Sequence, residues 1–136
     1  LSEGRDLWDE VTITMKKPPG SIDFSDSPNH TQADIKSETV LYDGPTRAVC
    51  THYPRNVNSH AATALAGIGF DRTRSVLVAD PDLDVSLIEL SARGGGVEID
   101  IRRANPMQGV SGVMTLLSSL ASICRVKAPG AGLYIC

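Results

Sequence analysis

Two histidines, His52 and His60, bracket the run Tyr53-Pro54-Arg55-Asn56-Val57-Asn58, where the side chains best suited to chemistry concentrate. An arginine fork such as that of Arg55 can hold a carboxylate through paired N–H donors. A nearby imidazole can carry a proton as general acid or base. The same residues also make an ordinary helix start, with Asn56, Asn58 or Ser59 as cap and His60 in the first turn. On local grounds the cap is the stronger reading. Asp80-Pro81-Asp82-Leu83-Asp84 gathers carboxylates that could take a cation, but it lacks the pattern of a calcium loop and reads as a turn. His30 lies in a polar stretch and reads as solvated.

Other motif classes are absent. Gly94-Gly95-Gly96 lies between two strand-like runs, without the spacing or the strand-to-helix setting that a dinucleotide loop needs. Gly67-Ile68-Gly69 follows a helix instead of opening one. There is no phosphate-binding Walker loop and no His-Glu-x-x-His, and no metal site is expected. Asn29-His30-Thr31 matches a glycosylation sequon but reads as chance beside the cysteine usage described below.

The elements that must position these residues follow from periodicity. Val11, Ile13 and Met15 alternate with Thr12, Thr14 and Lys16, a strand with one wet face, ended by Pro18-Pro19-Gly20. Ser2–Asp9 reads as the end of a helix. Ser21–Ser37 reads as a long, mobile surface loop. Thr39–Tyr42 is a short strand, Thr46–His52 a short helix, and Asn56–Ile68 an alanine-rich helix. Ser75–Ala79 is a central strand. Val85–Ala92 and Val97–Arg103 form a hairpin across the glycines, with Val97, Ile99 and Ile101 on its packed face. Val110–Arg125 carries apolar residues at helical spacing, a second long helix. The interleaving predicts an α+β fold, a mixed sheet of about five strands with two main helices on one face. The opposite face is expected to be polar or to pair with a second copy.

At 136 residues the chain suits one domain, expected to span 1–136. A net charge of −3, from 13 basic and 16 acidic residues, gives no reason to expect nucleic acid or an anionic membrane as partner. No apolar run is long enough to cross a bilayer as a helix. Three cysteines, Cys50, Cys124 and Cys136, form neither a disulfide framework nor a zinc clip, so a reducing, cytoplasmic setting is expected. The chain begins at Leu1 without Met and reads as a piece of a longer protein.

The order of motifs then becomes informative. Val11–Pro19, Asp43-Gly44-Pro45-Thr46-Arg47, Tyr53–Asn58, Ala64–Gly69 and Val78-Ala79-Asp80-Pro81 together resemble the C-terminal domain of L-aspartate dehydrogenases. Thr39–Pro45, Leu77–Asp80 and Leu133-Tyr134-Ile135-Cys136 look most like the animal branch of that family. The resemblance covers nearly the whole chain. It implies a fold similar to the C-terminal domain of glyceraldehyde-3-phosphate dehydrogenase, and an N-terminal Rossmann domain absent from this chain. It implies NAD(P)-dependent interconversion of aspartate with oxaloacetate and ammonia, with NAD or NADP bound mainly by the missing half. It places a cofactor-contacting asparagine at Asn58.

One departure is plain. Microbial members carry Asn-x-His-Glu on the strand after Asp-Pro, its histidine the acid/base. The matching residues here are Ser86, Leu87, Ile88 and Glu89, and isoleucine cannot transfer a proton. The later Asn-Pro-Lys-Thr motif is also degraded, around Gln108-Gly109-Val110-Ser111. Two readings follow. In the first, His60 takes over the proton relay beside Asn58 in an active dehydrogenase of a small-molecule substrate. In the second, the domain is a catalytically degenerate homodimerisation module, since two-fold pairing is the commonest assembly. The isolated fragment is expected to be inactive.

Overall fold

A computed structural model describes residues 1–108 and 111–112. A sheet in the order β2-β3-β1-β4-β5-β6 runs through it. Its strands are β1 (Glu10–Lys17), β2 (Thr39–Pro45), β3 (Arg74–Ala79), β4 (Val85–Gly94), β5 (Val97–Gln108) and the two-residue β6 (Ser111–Gly112). β1 lies at the centre, parallel to β3 and antiparallel to β4. Two helices, α1 (Thr46–His52) and α2 (Asn58–Ala66), pack on one face. The α+β class and the mixed sheet therefore match the expectation.

Burial along β1 alternates, with Val11, Ile13, Met15 and Lys17 turned to the helices and Thr12, Thr14 and Lys16 half-exposed opposite. Met15, Leu77 and Ala79 from the sheet meet Val49, Tyr53 and Val57 from the helical layer in the main core. A second apolar cluster joins Trp8 to Val11 and Ala92. The open face is polar, and a shallow groove of about 490 Å³ runs over Thr12, Thr14, Glu89, Ser91 and Asp100.

Several expectations need correction. α2 starts at Asn58, and its N-cap, Val57, makes no side-chain cap bond. Asn56 caps nothing. Its Oδ1 accepts the Asp23 N–H at 2.9 Å, and its Nδ2 donates to the Asp23 carbonyl at 2.8 Å. That clamp helps make the Ser21–Ser37 stretch a packed segment instead of a loose loop. Ile22 and Ile35 anchor it in the core, and Ser27 Oγ sits 2.8 Å from the Tyr53 hydroxyl. The two inward isoleucines offset only part of the ordering entropy of the segment, so the Asn56 clamp and the Ser27–Tyr53 contact act with them. The expected helix end at Ser2–Asp9 is a 3-10 helix over Ser2–Leu7.

The hairpin forms as expected. Gly95 (φ 55°) and Gly96 (φ 78°) take the two left-handed positions of its turn, which other residues adopt with strain. Gly94 is needed for close approach, since a Cβ there would run into the Leu7 carbonyl. Val97, Ile99 and Ile101 differ from expectation: they pair with Gly94, Ala92 and Leu90 on the helix-facing side yet remain exposed. The described helices cover β1 and its β3 neighbour and stop short of β5. The expected helix Val110–Arg125 meets a strand at its start, because Ser111 and Gly112 pair with Gln108 and Met107. Its remainder, with Cys124 and the Leu133–Cys136 ending, lies outside the described residues.

Candidate active site

The strand register builds one polar row into an otherwise apolar layer. Lys17 stands beside Ala79. The pairing that sets Lys16 opposite Leu87 brings Lys17 level with Ser86, and Ser86 pairs with Asn105. All three polar side chains are buried on the helix-facing side. One row further along that face run Leu77, Met15 and Ile88. Ile88 packs against the main core.

His60 lies above this layer on α2 and is fully buried. Among the described residues, neither of its ring nitrogens has a hydrogen-bond partner. Desolvation first, and the neighbouring Lys17 ammonium second, push its pKa down to about 4, so the ring is neutral at physiological pH. Burial pushes the Lys17 pKa down to about 8. The Lys17 Nζ donates to the Asn56 carbonyl at 3.5 Å, which ties the end of β1 to the turn that leads into α2. A lysine beside a histidine in a desolvated space favours one positive charge between them over two.

Asn58 and His60 are not brought together. They are two residues apart on a helix, a spacing that points side chains to different sides. His60 faces the interior, and Asn58 is exposed. Arg55 is also exposed, and its guanidinium holds the Asp23 carboxylate of the same chain at 2.7 Å. His52 sits in the last turn of α1 with its ring 6.3 Å from that of Tyr42. His30 is half-buried, its Nδ1 without a partner. Asp80 forms the expected turn, its Oδ1 accepting the Asp82 N–H at 3.0 Å. Among the described residues, no group of three or more His, Cys, Asp or Glu is placed to hold a metal ion.

Sequence reasoning missed Lys17 and Asn105, and met Ser86 only as the residue matching the first position of the family's Asn-x-His-Glu motif. Lys17 carried a signal, since it is the next inward position after Val11, Ile13 and Met15 in a period-two pattern. A lysine at such a position is buried against its preference. Ser86 and Asn105 become legible only through the register.

The chain matches the family model described as aspartate dehydrogenase, C-terminal, over residues 2–126. It is 35% identical to an aspartate dehydrogenase domain-containing protein of Xenopus tropicalis, covering 93% of this chain and 49% of that protein. It is 31% identical to an L-aspartate dehydrogenase of Methanosarcina barkeri, covering 88% of this chain and 46% of the relative. The chain thus spans about half the length of the curated relatives it matches. The crystal structure of aspartate dehydrogenase from Thermotoga maritima superposes with a TM-score of 0.70 at 21% identity, over 99% of this chain and 50% of that one. That likeness is one of fold. The family match over nearly the whole length, borne by the fold and motif order described above, places this chain in the aspartate dehydrogenase C-terminal domain family.

Proposed function

We propose that this chain is the substrate-holding half of an NAD(P)-dependent L-aspartate dehydrogenase, completed by an N-terminal Rossmann domain. The reaction converts aspartate, water and oxidised cofactor to oxaloacetate, ammonium, reduced cofactor and a proton. Beyond family membership, one observation carries the reading: a fully buried imidazole with both nitrogens unpartnered, beside a buried lysine. An unsatisfied buried polar group is costly, and such costs concentrate where a site awaits a polar occupant.

The donor chemistry suits a nicotinamide nucleotide. Asn58 offers an exposed carboxamide on the first residue of α2, beside backbone amides that no side chain caps. When bound, the nicotinamide supplies the hydride acceptor. Asn58 holds the polar edge of that group. His60, neutral at its pKa of about 4, meets the reacting end of the substrate as a hydrogen-bonding group. Cofactor choice between NAD and NADP rests with the other half. A cytoplasmic setting fits the free Cys50 thiol.

A second reading keeps its own support. Ile88, at the position where microbial relatives carry the acid/base, is packed against the apolar core. A homodimerising module that has lost catalysis would need nothing more there, and the polar open face would receive the second copy.

The test is oxidation of NADH or NADPH by the full-length protein with oxaloacetate and ammonia, beside Asn58→Ala. Turnover that needs both substrates, with the cofactor KM raised about tenfold in the variant, is expected from loss of a charge-neutral contact and its neighbours. Cofactor binding without turnover on oxaloacetate or related keto acids would favour the dimerising module.

A further inference from the structure

We propose that Lys17 is the proton carrier of the deamination step, its Nζ taking a proton from the water that attacks the substrate's imine carbon. The inference rests on the dehydrogenase reading above. Hydride loss from Cα leaves an iminium that water must hydrolyse, so the site needs a group that accepts a proton and returns it.

Among the described residues of the cluster, the choice narrows by chemistry. Ile88 has no titratable atom, and Ser86 and Asn105 do not ionise near neutral pH. The Asp80 carboxylate accepts a hydrogen bond within its own turn. His60 binds a proton only well below neutrality. Lys17 alone in this set, with its pKa lowered to about 8, exchanges a proton near the working range. Its position also fits. The Nζ reaches the Asn56 carbonyl, at the turn that delivers Asn58, while its backbone lies level with Ser86. The head group thus lies between the helix start proposed to meet the cofactor and the polar row of the sheet. Among the described residues, the titratable or charged groups nearest it in the fold are His60 on α2, Asp80 after β3, Arg103 on β5, and the Asp23–Arg55 pair beside the Asn56 turn.

The proton count closes. Neutral Lys17 takes a proton from water as the water oxygen bonds to the imine carbon, and the C=N π pair returns to nitrogen. The resulting ammonium of Lys17 then protonates the carbinolamine nitrogen. The C–N bond breaks, ammonia leaves with that bonding pair, and the hydroxyl proton passes to Lys17 as the C=O bond forms. Transfer of this proton to ammonia gives ammonium and restores the neutral amine.

The test uses full-length protein. Lys17→Met is expected to lower kcat for aspartate oxidation about 100-fold, in the usual range for a lost general base, with KM for aspartate changed less than about threefold. The rise of wild-type kcat with pH through about 8 should vanish from the residual activity. Lys17→Cys treated with 2-bromoethylamine restores an amine of lower pKa. Activity should recover and the limb should move to lower pH, with alkylated wild type as the control. This second variant serves if Lys17→Met fails to fold. Wild-type turnover with an unchanged pH profile in Lys17→Met, or a folded aminoethylated variant that stays inactive, would overturn the assignment and leave the dehydrogenase reading intact. A wild-type protein without turnover would overturn both.

Discussion

On the solvent side of the sheet Arg93 grips Glu98 and Arg102 reaches toward Glu89, every partner largely exposed. Across the same strands, the helix-facing side buries Lys17, Ser86, Asn105 and, above them, a His60 with no hydrogen bond to either nitrogen. The open face resolves its charges cheaply: each finds an opposite neighbour or water, and either choice changes folding stability little. The interior end of the sheet keeps polar groups where apolar ones would pack without penalty. Folding alone has no use for that arrangement, and the contrast supports the proposal that function sits on the interior side.

The largest effect expected from this contrast is on acid stability. Desolvation and Lys17 hold the folded His60 pKa at about 4, below its ordinary 6.5. Between those values the unfolded chain binds more protons, so the His60 contribution should be lost as pH drops through that window and be gone below it, while Asp23, Asp34, Asp43 and Asp71, whose folded pKa values are lowered, go on losing theirs at lower pH. The loss is on the order of 3 kcal/mol. Chemical denaturation at pH 7 and pH 4.5 should show it. The interior side of the comparison fails if the slope survives removal of the imidazole.

Next in size is Asn56→Ala. It removes both hydrogen bonds to the Asp23 backbone and should cost about 2 kcal/mol. Amide exchange across residues 21–37 should speed up well before global unfolding. A variant as stable as the parent would mean that the isoleucine anchors hold this segment without the clamp. The smallest effect belongs to the open face. Arg93→Ala breaks an exposed pair and should leave the melting temperature within error, with turnover unchanged. A clear drop would show that the open face carries energy this account denies it, as a dimer contact would.

Much of the scaffold was legible in the sequence. The alternation of Val11, Ile13 and Met15 announced a strand with a buried face, though the same period was not carried one step further to the buried Lys17. The glycines at 95 and 96 marked a hairpin because few other residues accept two successive positive φ angles. The helix Thr46–His52 matched to the residue. What sequence could not reveal depended on neighbours distant along the chain. Nothing local tells that the Asn56 amide would bind Asp23, 33 residues away, instead of capping α2. The alternation of Val97, Ile99 and Ile101 announced an apolar face, but not that the described helices would stop short of it. Sequence alone did not show that the turn of the helix sets Asn58 outward and His60 into the core, so that any site using both must reach them from different sides.

A buried imidazole built for chemistry is kept at the expense of stability. His60→Leu, close in volume and free of polar atoms, should be measured in the full-length protein at pH 7.5 for both thermal unfolding and NAD(P)H turnover. The prediction is opposed movement: stability up by about 1 kcal/mol as an unsatisfied polar group leaves the core, and turnover down at least tenfold. A variant that melts lower than the parent, or one that melts higher and turns over as before, would contradict the claim that this end of the sheet is built for chemistry.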